Sequence, residues 1–185
     1  VNATTTTFTQ SVGTGADAAI GGGDDRPLLS LTTDSTGTTT INGGAVIATT
    51  HDYKDAVTVG ANTTFSGTAV KFEGTLNPDA STRTLSVTAT GATTFQGNVG
   101  GVTPFTSLTT DTGGTTTIGS SGGAAVTVTA VTQSYGEAVT LANDATIVAT
   151  TSATFANSIN ADSAGANRAL TVTSPTTTFT GAIGG

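Results

Sequence analysis

The sequence predicts an all-β fold, a right-handed parallel β-helix (β-solenoid) of about eight coils, and three observations carry that prediction. First, the stretch Thr93-Thr94-Phe95-Gln96-Gly97-Asn98-Val99-Gly100-Gly101 has near copies at Thr6-Thr7-Phe8-Thr9-Gln10-Ser11-Val12-Gly13 and at Thr177-Thr178-Phe179-Thr180-Gly181-Ala182-Ile183-Gly184-Gly185. Second, each of the two periods so marked divides into four shorter units. Third, apolar residues alternate with Thr or Ser inside those units, as in Ala125-Val126-Thr127-Val128-Thr129, Leu85-Ser86-Val87, Leu170-Thr171-Val172 and Ala138-Val139-Thr140-Leu141, the period of a strand with one face inward.

The long repeats occupy about 9–95 and 96–179 of a single solenoid segment, 1–185. Leu29-Ser30-Leu31-Thr32-Thr33-Asp34 with Thr38-Thr39-Thr40-Ile41 returns as Thr106-Ser107-Leu108-Thr109-Thr110-Asp111 with Thr115-Thr116-Thr117-Ile118. Tyr53-Lys54-Asp55-Ala56-Val57-Thr58 returns as Tyr135-Gly136-Glu137-Ala138-Val139-Thr140, and Thr84-Leu85-Ser86-Val87-Thr88 as Ala169-Leu170-Thr171-Val172-Thr173. Order is kept while spacing drifts, which loop insertions between fixed strands produce.

The shorter units carry an aromatic residue followed four positions later by an aliphatic one: Phe8/Val12, Tyr53/Val57, Phe72/Leu76, Phe95/Val99, Tyr135/Val139, Phe155/Ile159 and Phe179/Ile183. Ile41 and Ile118 take the aromatic place in the remaining units. The expected core is therefore a stack of these side chains, Phe over Phe or Tyr and Val over Ile or Leu, roughly 4.8 Å apart from coil to coil. No single coil offsets its own ordering entropy, so neighbours are obligatory. Turns are written at Asn42-Gly43-Gly44, Gly100-Gly101, Gly113-Gly114 and Gly122-Gly123, where positive φ is cheapest. The stretch 13–27 has no partner in the second period and reads as an inserted surface loop. Smaller loops start at Asn77-Pro78-Asp79 and Asn160-Ala161-Asp162. The alternative fold is two tandem Ig-like β-sandwiches, which the repeat length suits; the four-fold internal division and the absence of Trp speak against it.

Composition narrows the function. Charged residues make up only 9%, against about a quarter normally, and Thr, Gly, Ser, Ala and Asn fill the deficit. Net charge is −7, with five Lys or Arg in total, which leaves no electrostatic footprint for nucleic acid and repels an anionic membrane. Cysteine is absent, so neither disulfides nor thiolate ligands are expected. There is no long apolar run and no Met, even at position 1, and the chain is expected to be a processed or excised piece.

Ser-Leu-Thr-Thr-Asp followed by Thr-Thr-Thr-Ile, the Tyr-x-Asp/Glu-Ala-Val-Thr segment and Thr-Thr-Phe-x-Gly-x-Val-Gly-Gly resemble the β-strand-repeat regions of very large bacterial surface proteins, relatives of filamentous haemagglutinin-like adhesins. The resemblance spans nearly the whole chain and keeps its order. It implies a secreted or surface-attached β-solenoid stalk with no activity of its own. The insertion at 13–27 departs from that pattern.

The polar clusters have plain turn roles as well as chemical ones. Asp24-Asp25 supplies the paired carboxylates of a polysaccharide-degrading β-helix, but the pair sits in a Gly-rich stretch beside only Arg26 and reads as solvated loop. His51, Asp52, Lys54 and Asp55 surround Tyr53, yet Ser134, Gly136 and Glu137 replace most of that set in the second period, so they read as exposed turn residues. On that reading His51→Ala changes stability little, whereas Phe95→Ala costs about 3–5 kcal/mol. Asp34 and Asp111, Arg83 and Arg168, and Asp79 and Asp162 are equivalent pairs, assigned to turns and weak surface ion pairs. The calcium nonapeptide Gly-Gly-x-Gly-x-Asp is absent. The Thr runs 38–40, 115–117 and 176–178 suggest an ice-binding face, which uneven coil lengths would spoil. Asn2-Ala3-Thr4 and Asn62-Thr63-Thr64 match the glycosylation pattern.

The expectation is a structural, non-catalytic stalk or fibre-forming segment, extracellular or on a bacterial cell surface, with no enzyme activity, no catalytic, metal or cofactor-binding residues and no cofactor. Its partners would be itself, end to end through uncapped β-coils, or neighbouring repeats of its parent chain. The alternative is a carbohydrate-binding adhesin module taking host or matrix glycans. Nucleic-acid binding and membrane insertion are not expected.

Overall fold

The computed structural model describes residues 3–13, 27–79, 83–163 and 165–184. Most of the inserted stretch, including Asp24, Asp25 and Arg26, lies outside them, as does Asn2. Among the described residues there are strands and turns but no helix. Thr is by far the commonest strand residue, and its β-branched side chain favours a pleated surface over a helix.

In chain order the strands are β1 (Thr5–Phe8), β2 (Leu28–Thr32), β3 (Thr38–Ile41), β4 (Ala45–Tyr53), β5 (Ala56–Val59), β6 (Thr63–Phe72), β7 (Leu76–Pro78), β8 (Thr84–Phe95), β9 (Phe105–Thr110), β10 (Thr115–Ile118), β11 (Val126–Tyr135), β12 (Ala138–Leu141), β13 (Ala145–Phe155), β14 (Ile159–Ala161), β15 (Leu170–Thr173) and β16 (Thr176–Phe179). Every pairing is parallel. They wind into a right-handed β-solenoid of about seven turns.

Three flat faces make up each turn. Face I stacks β1, β3, β5 and β7, a bridge at Val99, the first halves of β11 and β13, and β15. Face II stacks a bridge at Val12, the first halves of β4, β6 and β8, then β9, the second halves of β11 and β13, and β16. Face III stacks β2, the second halves of β4, β6 and β8, then β10, β12, β14 and a bridge at Ile183. The long strands therefore turn a corner, and two of the corner crossings carry a register shift, at Gly67/Ala69 and at Ala130/Thr132.

The expected stack is distributed over all three faces. Phe8 lies over Ile41 on face I. Tyr53, Phe72, Phe95 and Ile118 form a column on face III, with ring centroids 5.1 and 5.7 Å apart between the aromatics. Tyr135, Phe155 and Phe179 form one on face II, at 4.9 and 5.2 Å. The aliphatic partners fall one corner further on: Val57, Leu76 and Val99 on face I, Val139, Ile159 and Ile183 on face III, and Val12 on face II. Ile118 and Tyr135, consecutive in sequence spacing, do not stack; Ile118 pairs with Leu141 instead.

The cause is arithmetic. From Phe8 to Phe95 the chain visits eleven faces, and from Phe95 to Phe179 eleven more, so one long repeat is three and two-thirds turns. Each repeat copy is rotated by one face from the last. The short intervals Ile41 to Tyr53 and Ile118 to Tyr135 are where two faces pass instead of three.

The interior is mainly apolar, with a few buried polar side chains at its corners. Ile41, Tyr53, Phe72, Phe95, Ile118, Tyr135, Phe155, Leu76, Val57, Val99, Val139 and Ile159 are buried, joined by Phe65, which meets Tyr53 and Phe72 edge-on. Fully burying one such side chain contributes about 1.5–3 kcal/mol. Phe8 and Val12 are half-buried at one end, and at the other Phe179 is 42% and Ile183 54% exposed. Turn side chains also tie successive coils: Asn62 Oδ1 accepts from Thr84 N–H, Asn98 Oδ1 from Thr127 N–H and Asp144 Oδ1 from Ala169 N–H.

Candidate functional site: two buried polar corners

The polar side chains with the strongest claim on attention are inside the rod. Along β4 the alternation that turns Tyr53 inward also turns in His51, and both rings are buried. His51 is 2% exposed and Asp55, just past the strand, 3%. The expectation that they are exposed turn residues is thereby corrected; Asp52 and Lys54 do sit at the surface, where they approach at 3.9 Å.

His51 lies against the edge of Phe65 and beside Tyr53. Its Nε2 is 3.0 Å from Ser66 O on the next coil and accepts from the Ala48 N–H at 3.2 Å, and its Nδ1 is 3.3 Å from the Tyr53 hydroxyl. Gly67 makes room for this corner: a Cβ there would fall 2.3 Å from Ala48 O and 3.2 Å from His51 Cδ2. Asp55 accepts two hydroxyl donors, Thr33 at 2.6 Å and Thr39 at 2.8 Å. A buried carboxylate unpaired with any cation needs such donors.

The second repeat builds the same device one face earlier. Gln133 stands for His51 and is 2% exposed; its Nε2 donates to Val128 O at 3.1 Å and Val148 O at 2.8 Å, and its Oε1 accepts from the Tyr135 hydroxyl at 2.8 Å. Val148 O is the repeat equivalent of Ser66 O. In His51 the same contacts divide between two tautomers: Nε2–H donating to Ser66 O with Nδ1 accepting from Tyr53, or Nε2 accepting the Ala48 N–H with Nδ1–H donating to the Tyr53 oxygen.

Glu137 stands for Asp55 and is 1% exposed. Its Oε1 accepts from the Thr116 hydroxyl, as Asp55 accepts from Thr39. The extra methylene breaks the second match: Oε2 makes no hydrogen bond of good geometry, nor does the buried Thr110 hydroxyl, and the Thr93 hydroxyl reaches the carboxyl only in a poorly aligned approach. Burial pushes the Glu137 carboxyl up to about 7, the Thr116 hydroxyl acting against it, the nearby Asp111 charge adding to it and the Thr93 hydroxyl opposing it slightly. For His51, burial lowers the imidazole against the hydrogen bonds to Ser66 and Ala48. Both phenols are pushed up, chiefly by burial.

The remaining acidic and basic pairs are at the surface. Arg83 grips Asp79 through two bonds of 3.2 and 2.9 Å, and Arg168 grips Asp162 through two of 3.0 and 3.1 Å. Asp34 accepts from Thr36, and Asp111 from Ala89 N–H across coils. Among the described residues no three His, Asp or Glu side chains converge into a metal-binding group, and no helix is long and apolar enough to cross a membrane.

Motif comparison does not show these corners, because it pairs Asp52, Lys54 and Asp55 with Ser134, Gly136 and Glu137 and passes over the pair His51 and Gln133. Gln133 lies at the same offset as Tyr135 from Tyr53, and the flanking pairs Thr33/Thr110 and Thr39/Thr116 were visible, but the alternation that buries them was not applied across the turn. No protein-family model, curated protein or solved structure matches the chain.

Proposed function

We propose that this chain is a structural, non-catalytic segment of a rod, a stalk or fibre-forming piece of a bacterial cell-surface or extracellular matrix protein of the filamentous haemagglutinin-like kind. The observation that supports this reading best is the unbroken interior. Large side chains are spent on columns that run from one end of the solenoid to the other, and the outward positions carry mostly Thr, Ser and Asn. Such a body resists bending and extension through hydrogen-bond ladders on three faces, and its stability is a sum of coil and neighbour terms.

The rod associates end to end. Phe179 covers Phe155 but has an open outer side, and Ile183 covers Ile159 likewise. A further coil of the same repeat class, on the same polypeptide or on an identical subunit, would pair the free edge of β15 and β16 and bury both side chains. Sedimentation of the segment over a wide concentration range, with electron micrographs, tests this. The expected result is concentration-dependent rods that Phe179→Lys with Ile183→Lys abolishes, and a strict monomer at high concentration overturns it. A glycan array read with the same material tests the adhesin alternative.

A further inference from the structure

The two polar corners occupy equivalent places in the repeat yet carry opposite charge types, an imidazole in one and a carboxyl in the other. We propose that they respond to protons in opposite senses, so that acidification moves the weakest coil of the rod from the Glu137 corner to the His51 corner.

At the first corner, neutral His51 keeps one ring nitrogen as an acceptor, and two donors converge on the ring: the Ala48 N–H aims at Nε2 and the Tyr53 hydroxyl lies at Nδ1, with Ser66 O placed to accept from Nε2. A second proton leaves the ring no acceptor, so the Ala48 N–H and the Tyr53 O–H both face an N–H. Tyr53 must then give up its donor role inside a cluster of Phe65 and Phe72, and a cation is buried. The groups facing His51 are Tyr53 on its own strand, Ser66 O and Phe65 on β6, and Leu31, its pairing partner on β2. Asp55 is already engaged by Thr33 and Thr39. Asp52, Lys54, Lys71 and Glu73 form an ion cluster on the outer side of the same ladder. Because burial lowers the folded-state value from 6.5, the stability His51 supports is complete above that pH and is lost as pH falls.

At the second corner the neutral form is again the one that fits, but here it is the protonated one. A hydrogen on Oε2 gives that oxygen a donor to offer the Thr110 or Thr93 hydroxyl, neither of which makes a well-formed hydrogen bond, while Oε1 keeps the Thr116 bond. The charged group facing it among the described residues is Asp111, of the same sign. With the folded value raised from 4.5 to about 7, stability is complete below 4.5 and lost as pH rises through 7.

Hydrogen exchange of the whole chain, read by mass spectrometry at about pH 5.5 and about pH 8 and corrected for the intrinsic chemical rate, tests this. Acidification is expected to raise local opening in β4 and the second half of β6. In β10 and β12 it is expected to lower opening by roughly thirtyfold, the linkage for a carboxyl moving from 4.5 to about 7. His51→Gln, which copies the native Gln133, removes the first response alone, and Glu137→Gln removes the second alone. Responses of the same sign in both regions, or responses that survive both substitutions, overturn the proposal. His51 is the sole histidine, so its imidazole resonances in the unsubstituted chain give a second reading. Titration below 6.5 supports the first half, and titration at or above 6.5 overturns it.

Discussion

Phe95 and Phe179 occupy the same place in the sequence repeat, so truncating each isolates the effect of position in the rod. Phe95 is fully buried, stacked on Phe72 at 5.7 Å and paired with Ile118 on the other side. Removing it forfeits the transfer term and leaves a cavity enclosed from both directions, a cost of about 3–5 kcal/mol. Phe179 is 42% exposed and has a ring neighbour on one side only, Phe155 at 5.2 Å. Scaling the transfer term by the buried fraction, with no closed cavity to add, gives about 1–1.5 kcal/mol. Urea denaturation of Phe95→Ala and Phe179→Ala, followed by circular dichroism below any concentration at which rods form, should separate them by about 2 kcal/mol or more. Equal losses would refute the argument that stacking from both sides, not the residue or its motif, sets the energy.

Other outcomes follow from the polar corners and the glycine beside one of them. Asp55→Ala strands the buried Thr33 and Thr39 hydroxyls and should cost about 2–4 kcal/mol in the same denaturation assay at neutral pH. Tyr135→Phe removes the donor to Gln133 Oε1 and should cost about 1–3 kcal/mol while leaving the circular dichroism spectrum unchanged. Gly67→Ala drives a Cβ into the Ala48 carbonyl oxygen, and the strain should loosen the corner that holds His51. Faster exchange confined to the β4–β6 pairing would show it, and unaltered exchange would show that the corner has more room than the backbone allows.

Much of the fold was legible because strand alternation is a local property. The Val-Thr-Val runs and the Phe/Val pairs report which side chains point inward without reference to where a strand sits on the rod, and a chain poor in charge and rich in β-branched residues has little alternative to stacking. What was not legible is the assignment of repeats to faces. Ile41 and Ile118 look equivalent and are, but one lies on face I and the other on face III, because the sequence repeat and the turn have different lengths. The only trace in the sequence is the pair of short intervals ending at Tyr53 and Tyr135. His51, Asp55 and Glu137 were misplaced for another reason: charge and turn propensity argued for the surface, and the partners that make burial tolerable, Thr33, Thr39 and Thr116, lie some 16 to 22 residues away in sequence. Only the winding of the chain brings them within reach.

A repeat of three and two-thirds turns works like a staircase whose landings do not line up. Any ornament fixed at one place in the repeat, such as the Arg83–Asp79 clasp and its counterpart Arg168–Asp162, leaves the shaft a third of a revolution further round with each copy. In an array of such copies the original compass bearing returns after three, at a height of about 50 Å from the strand spacing. A variant loop placed once per repeat would thus point in three directions in turn, with no need for bends in the shaft.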